Sequence, residues 1–103
     1  MKSLLAVPFL FIALNAAADC NSQRPGDAPV IPEGATATRV QMEQAQVNAK
    51  AYVDSVASFL DCRRKEINDM THNFFVYSAT GTAEAYNEAL AQYAQREEAL
   101  AMN

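Results

Sequence analysis

The chain of 103 residues contains two cysteines, Cys20 and Cys62, and their chemistry is the easiest to specify. In an oxidising compartment two thiols can pair as a disulfide, which restricts the unfolded chain. The loop closed by this bridge has roughly 40 residues, which corresponds to about 3–4 kcal/mol of stabilisation. No Cys-x-x-Cys occurs, so a thioredoxin-like redox site is not indicated. We expect a structural intramolecular disulfide; an intermolecular bridge and two free thiols are the alternatives.

A second group of potentially reactive residues comprises Glu66, Asp69 and His72, spaced as i, i+3 and i+6 on a helix. His72 is the only histidine, and Asp-x-x-His on a helix resembles half of a carboxylate-rich metal site. A two-metal bundle needs a second such motif, and only Glu84 and Glu88 could contribute further carboxylates. A solvated helix face explains these residues better. We therefore expect no metal and no cofactor, and keep the three residues as weak metal candidates.

The remaining polar residues are not arranged for catalysis. The serines and threonines have no companion histidine placed to activate a nucleophile, and neither a phosphate-binding loop nor a glycosidase-type carboxylate pair is present. The cation run Arg63-Arg64-Lys65 is explained by pairs within a helix, such as Asp61 with Lys65. The sequence therefore predicts a protein that is not an enzyme.

The first of the elements that position these residues is an export signal. A positively charged start, an apolar run over residues 4–14 and three alanines at 16–18 have the layout of a secretory signal peptide. We expect residues 1–18 to be removed by cleavage after Ala18, which makes the protein periplasmic or secreted. Lipidation of Cys20 is a minor alternative, because an aspartate rather than a small residue precedes it.

Size and charge restrict the class of protein and its partners. Removing 18 of the 103 residues leaves 85, which is one small domain with a marginal hydrophobic core. These residues include seven basic and twelve acidic side chains, a net charge of −5. Because there is no basic patch, nucleic acid is not an expected partner. No second apolar run approaches the roughly 20 residues that span a bilayer, so no transmembrane segment is expected after cleavage.

The expected mature chain begins with an arm over residues 19–37. Three prolines within eight residues, and the absence of an apolar period, predict extended backbone rather than helix. Val30 and Ile31 are its only large apolar side chains. We expect these two residues to anchor the arm along the first half of the helix that follows.

Residues 38–103 are predicted to form a helical hairpin. Thr38 and Gln41 fit a capping box, and an apolar rhythm with no glycine or proline predicts a helix over 38–77. The stripe of this helix is Met42, Ala49, Val53, Val56, Leu60, Ile67, Met70, Phe74 and Tyr77, with Tyr52 and Phe59 on one flank. Such length favours a hairpin or coiled-coil setting.

Residues 78–82 are the predicted turn, with Gly81 as the hinge, and a shorter helix is predicted over 83–102. The fold class is therefore all-α: an antiparallel hairpin with one long and one shorter helix, and a Pro-rich arm tethered by the disulfide. A reversal near residue 80 places Arg63 opposite Glu97, the two interruptions of the apolar stripes. A continuous rod through Gly81 is the alternative.

One stretch supports a comparison with other proteins. Residues 29–52 (PVIPEGATATRVQMEQAQVNAKAY) contain a Pro-x-Ile-Pro-Glu-Gly-Ala segment and a helix with a Lys-Ala-Tyr turn; Cys62 and the aromatic pattern of Tyr86-Asn87 and Tyr93 follow. This combination resembles a family of short exported helical proteins of proteobacteria. The resemblance implies an exported helical protein. Its motifs are structural, so it implies no catalytic or binding residue.

These features predict an exported structural or protein-interaction module, whose partner is another protein or a second copy of the chain. The main alternative is a chaperone-like periplasmic protein that binds apolar peptides. Its groove would lie beside Tyr52, Val56 and Phe59, which we take as the candidate interaction surface. A metal-binding protein that uses Glu66, Asp69 and His72 is a third, weaker alternative.

Overall fold

The structure, a computed structural model, describes residues 23–102. Helix α1 spans Arg39–Cys62, helix α2 spans Asp69–Met102, and a turn over residues 63–68 joins them. There is no strand between residues 23 and 102. The predicted all-α helical hairpin is confirmed. The predicted signal peptide, its cleavage point and Cys20 lie outside the described residues.

Helix α1 begins where the sequence predicts. The Thr38 hydroxyl accepts a hydrogen bond from the Gln41 backbone N–H (3.1 Å), and the Gln41 side-chain oxygen accepts one from the Thr38 N–H (2.8 Å). These two bonds satisfy backbone donors that have no partner within the helix. The capping box is confirmed.

Helix α1 ends at Cys62, so the predicted continuous helix over 38–77 is wrong: the turn at 63–68 interrupts it, and residues 69–77 belong to α2. The Arg63 N–H still donates to the Phe59 carbonyl (2.9 Å), and the Glu66 N–H donates to the Arg63 carbonyl (2.9 Å) to close the turn. Three consecutive cations follow the last helical residue. They lie next to the negative end of the helix dipole, where positive charge is stabilising.

Helix α2 begins with its own cap. The Asn68 side-chain oxygen accepts a hydrogen bond from the Thr71 N–H (2.8 Å), and Asp69 lies in the first turn, where negative charge is favoured. Ile67, just before the cap, is half-buried against the aromatic cluster between the helices. A polar cap and an apolar anchor thus hold the reversal at residues 63–68.

The predicted turn at residues 78–82 is wrong, because α2 passes through it without a break. Gly81 has no positive φ, and a Cβ built on it would meet no atom within 4 Å. A glycine in a helix interior costs about 1 kcal/mol relative to alanine, which the packing of the rest of the helix offsets. The order of lengths is also reversed, since α1 has 24 residues and α2 has 34.

The two helices pack along a seam of residues spaced alternately by three and four. On α1 the buried residues are Met42, Ala45, Ala49, Tyr52, Val56 and Phe59. On α2 the buried residues Phe75, Thr82 and Ala89 follow one another at heptad spacing. This is the periodicity of a coiled coil. Within residues 23–102, neither helix has a stretch long and apolar enough to cross a membrane.

Direct contacts establish the register of this seam near the turn. The rings of Phe59 and Phe75 meet edge to face with centroids 5.3 Å apart, and the hydroxyls of Tyr52 and Ser78 are 2.7 Å apart and hydrogen-bonded. Farther from the turn, α1 and α2 share a second apolar cluster that contains Met42 and Ala89. The helices are therefore antiparallel about the turn at 63–68.

This register overturns the predicted pairing of Arg63 with Glu97. Arg63 lies in the turn and donates to the Glu66 carboxylate (3.1 Å). Glu97 lies near the far end of α2, beside Arg96 (3.5 Å). The prediction failed because it placed the reversal near residue 80.

The described part of the arm is not helical, as predicted, but it runs along α2 rather than along α1 alone. At its start the Arg24 guanidinium lies 5.0 Å from the centre of the Phe75 ring. Farther along, Gly34 contacts the backbone of Ala89. Residue numbers rise together along the arm and α2, so the two segments run in the same direction.

Only one of the two predicted anchors holds the arm. Ile31 is half-buried against a cluster that contains Ala37, Met42 and Ala89, whereas Val30 is 92% exposed. Extended backbone turns successive side chains to opposite sides, so two adjacent residues cannot both face the helices. Ile31 is confirmed as an anchor of the arm, and the prediction that Val30 is an anchor is wrong.

We expect Gly81→Ala to stabilise the protein by about 0.5–1 kcal/mol, because alanine loses less conformational entropy in a helix and the site has room for it. Urea unfolding followed by circular dichroism measures the change. A lower midpoint would contradict a helical Gly81 and favour a hinge.

Gly34→Ala is the matched control and should have the opposite effect. A Cβ on Gly34 would overlap the Ala89 carbonyl group. It would lie only 2.6 Å from the Ala89 carbonyl carbon and 2.9 Å from the Tyr93 backbone nitrogen. The arm must then move away from α2, so we expect a clear loss of stability. Equal effects of the two substitutions would show that the arm is not in close contact with α2.

Candidate interaction surfaces

The residues predicted as an interaction surface lie in the core instead. Tyr52, Val56 and Phe59 are buried and form one cluster with Phe75. The early turn brings Phe75 opposite these residues, and its ring covers the groove in which a peptide was expected to bind. The predicted surface is therefore wrong in this structure.

The three weak metal candidates are not assembled into a site. Glu66 lies in the turn and is paired with Arg63, Asp69 is the first residue of α2, and His72 is half-buried one turn later. In the part of the chain that the structure describes, no group of three or more His, Cys, Asp or Glu residues could hold a metal ion.

Cys62 is the last residue of α1 and is half-buried. Residues 23–102 contain no free cysteine. Because Cys20 lies outside the described residues, the pairing of the two cysteines stays a prediction.

A helical hairpin has a groove on each side of its seam, and the arm lies in one of them. Ile31 and Pro32 lie beside Ala85, Glu88 and Gln92 on the corresponding flank of α2. The arm thereby covers the apolar end of the seam away from the turn. The arm occupies this groove but leaves a shallow cavity of about 390 Å³ between itself and α2.

Arg96 fastens the end of the arm to α2. Its guanidinium donates to the carbonyl of Ala35 (3.0 Å) and to the carbonyl of Ala37 (2.6 Å), and it lies 4.8 Å from the centre of the Tyr93 ring. A planar guanidinium can serve two carbonyls and an aromatic face at once. One side chain thus joins the arm to the helix through backbone groups.

The groove on the other side of the seam is open. No segment among residues 23–102 fills it, and it contains two shallow cavities of about 220 and 350 Å³. Its floor and α2 wall are formed by Met42, Gln46, Ala49, Val53, Ala83, Tyr86, Asn87, Leu90 and Tyr93. Its α1 rim carries two exposed ion pairs, Arg39–Glu43 (3.2 Å) and Lys50–Asp54 (3.1 Å). This groove is a candidate surface for another helix.

A second candidate surface lies on the first turns of α2. Met70, Phe74 and Tyr77 follow at i, i+4 and i+7, which places them on one face, and they are 80%, 58% and 80% exposed. The sequence pattern placed these residues in the seam. They lie outside it because the turn at 63–68 rotates Phe75 rather than Phe74 toward α1. Large apolar side chains grouped on a surface are typical of protein contacts.

No protein-family model, no curated protein and no solved structure matches this chain. The function must therefore be argued from the described residues. The resemblance to short exported proteins of proteobacteria stays a prediction.

We expect Arg96→Ala to release the end of the arm, because two charge-assisted hydrogen bonds to carbonyls are lost. The amides of Thr36 and Ala37, which donate to the Glu33 carbonyl, should exchange with solvent at least about tenfold faster. Hydrogen exchange followed by NMR measures this.

Arg64→Ala, which removes an exposed cation in the turn, is the control for this experiment. Arg96→Lys should be intermediate, since an ammonium cannot reproduce the planar fork. If the three variants exchange these amides alike, Arg96 does not hold the arm.

Proposed function

We propose that this chain is an exported, non-enzymatic protein-interaction module, a helical hairpin that presents α2 to a protein partner. The observation that carries the proposal is the exposed apolar face of Met70, Phe74 and Tyr77. Burying a large apolar side chain contributes about 1.5–3 kcal/mol, so an interface that covered all three would gain several kcal/mol. A partner that covers this face would contribute free energy of apolar burial that the isolated hairpin does not have.

The charges along the same face of α2 indicate what such a partner contains. Glu84 and Glu88 follow Tyr77 at i+7 and i+11, and both are exposed. The apolar face is thus continued by two carboxylates. A helix with apolar residues at one end and cations at the other complements this face in shape and charge.

Export is supported by the sequence alone, through the signal-peptide pattern of residues 1–18 and the resemblance described above. We place the protein in the periplasm or outside the cell after cleavage at Ala18. Such a location is oxidising, which allows a structural disulfide.

The course of the arm supports a disulfide between Cys20 and Cys62. Arg24 lies on the Phe75 ring, Phe75 contacts Phe59, and Cys62 follows Phe59 by three residues on α1. Four residues of extended chain span up to about 13 Å, so a bridge from Cys20 to Cys62 is compatible with the position of Arg24. The bridge would hold the start of the arm beside the turn, as Arg96 holds its end.

We expect Cys62→Ser to lower the unfolding midpoint by more than about 10 °C while keeping most of the helicity, because about 3–4 kcal/mol of cross-link stabilisation is lost from a small domain. Thermal unfolding followed by circular dichroism measures this, and the reduced wild-type protein should behave alike. Two titratable thiols in the native protein, or an unchanged midpoint, would remove the disulfide.

The interaction role is tested with a triple substitution, Met70→Ser, Phe74→Ser and Tyr77→Ser. The protein is recovered with its partners from the cells that produce it, and the partners are quantified by mass spectrometry. We expect a defined partner to be enriched by the wild type and to fall at least about tenfold with the triple variant, since the apolar contact is lost.

The control is Leu100→Ser with Met102→Ser, which removes two exposed apolar side chains at the other end of α2. It should retain the partner, and circular dichroism should show that both variants are helical. Recovery of the same proteins by all three forms would overturn the proposed function.

A further inference from the structure

The charges on the α1 rim of the open groove form a self-complementary series. Along α1 they read Arg39, Glu43, Lys50 and Asp54, and all four side chains line the groove. Suppose that a second α1 lies antiparallel to the first, with a two-fold axis between residues 46 and 47. Arg39 then lies opposite Asp54 of the second copy, and Glu43 lies opposite its Lys50. Each cation meets an anion across the axis.

The α2 side of the same face carries an uncharged stripe over residues 76–94. Its outward residues at heptad spacing are Val76, Thr80, Ala83, Asn87, Leu90 and Ala94. If the α2 helix of a second copy lies antiparallel and is centred near residue 85, Val76 lies opposite Ala94 of that copy. Thr80 then lies opposite Leu90, and Ala83 lies opposite Asn87. The stripe carries no charged side chain, so its burial in a dimer avoids the desolvation penalty of an unpaired charge.

The two centres lie at nearly the same height along the hairpin. Met42 shares a cluster with Ala89, and Tyr52 is hydrogen-bonded to Ser78. Residues 46–47 are midway between Met42 and Tyr52, so they lie opposite the midpoint of Ser78 and Ala89, at residues 83–84. One two-fold axis therefore serves both helices. The charge series and the uncharged stripe are separate features, and they require the same symmetry operation.

We propose that this face binds a second copy of the chain, antiparallel and face to face, so that two hairpins form a four-helix bundle. The interface is isologous, with the same surface contributed by both copies. Side chains that are half-buried in the open groove, such as Val53 and Tyr86, become core residues of the bundle. The two arms lie in the opposite grooves and remain outside the interface.

This dimer goes beyond the proposed function and uses a different surface. Met70, Phe74 and Tyr77 are centred on another side of α2 from the stripe that begins at Val76, because residues one or two apart on a helix do not share a face. Only Tyr77, three residues before Thr80, borders the stripe. Both copies in the dimer keep their apolar faces free. Dimerisation and partner binding can therefore fail independently.

The test uses two charge reversals, Lys50→Glu and Glu43→Lys. The full chain is expressed, the form that accumulates is purified, and its mass is measured by sedimentation equilibrium over a range of concentrations. The wild type should be a dimer. In each variant alone, positions 43 and 50 meet as like charges at two symmetric places, so the dimer Kd should rise at least about tenfold.

Mixing the two variants in equal amounts is the decisive step. In a mixed dimer the unchanged Glu43 of one chain faces the unchanged Lys50 of the other. At the symmetric place the introduced glutamate at position 50 faces the introduced lysine at position 43, so every pair is again attractive. The mixture should dimerise with a Kd within about threefold of the wild type. Asp27→Lys is the control, an acid-to-lysine change on the exposed arm that should leave the Kd unchanged.

Three results would overturn the proposal. The first is a wild type that stays monomeric at high protein concentration, with a dimer Kd above roughly 100 µM. The others are a dimer Kd that neither charge reversal changes, and a mixture whose dimer Kd is as high as that of each variant alone. Circular dichroism checks that each variant is folded. The Met70, Phe74 and Tyr77 triple variant should dimerise like the wild type. The Lys50→Glu protein, at a concentration at which it is monomeric, should still capture its partner. Loss of one activity alone then shows which of the two proposals has failed.

Discussion

The position of the chain reversal determines every other contact in this hairpin. In an antiparallel pair, moving the turn by one residue shifts each residue's partner on the other helix by two positions. The turn at 63–68 is held by the Asn68 side chain on the Thr71 N–H and by Ile67 packed on the aromatic cluster. With the reversal held there, Phe75 meets Phe59 and Ser78 reaches Tyr52. The path of the arm and the exposed face of α2 follow from the same register.

The sequence was sufficient for the helical class, the hairpin, the non-helical arm and the start of α1, because each depends on local chemistry. The capping box of Thr38 and Gln41 is complete within four residues. The predicted turn is too late in the chain because Gly81 resembles a helix break, although a helix tolerates one glycine for about 1 kcal/mol. The competing signal for a reversal at 63–68 is a run of three cations, which favours a helix end, and Asn68, which favours a helix start. Its strength is similar to that of the glycine at position 81. Only the aromatic packing beyond the turn decides between them.

The buried face of α1 could not be chosen from its own sequence for a related reason. Two neighbouring stripes share Met42, Ala49 and Val56 and differ in the residues between them. One adds Val53 and Leu60; the other adds Ala45, Tyr52 and Phe59, which are the ones buried. The choice depends on the opposite helix, which presents Phe75 and the small residues Thr82 and Ala89. The choice of buried stripe also determines which side chains are exposed. The predicted interaction residues are therefore core residues in the structure.

The two grooves of the hairpin differ in the chemical groups that they present. The arm is bound through backbone groups: Gly34 lies against Ala89, and the carbonyls of Ala35 and Ala37 accept from Arg96. Such contacts depend on shape and hydrogen bonding, and they tolerate change in most arm side chains. The open groove instead presents side chains, with alternating charges on one wall and none on the other. Because charge placement discriminates between partners, the proposed dimer would derive its selectivity from the open groove.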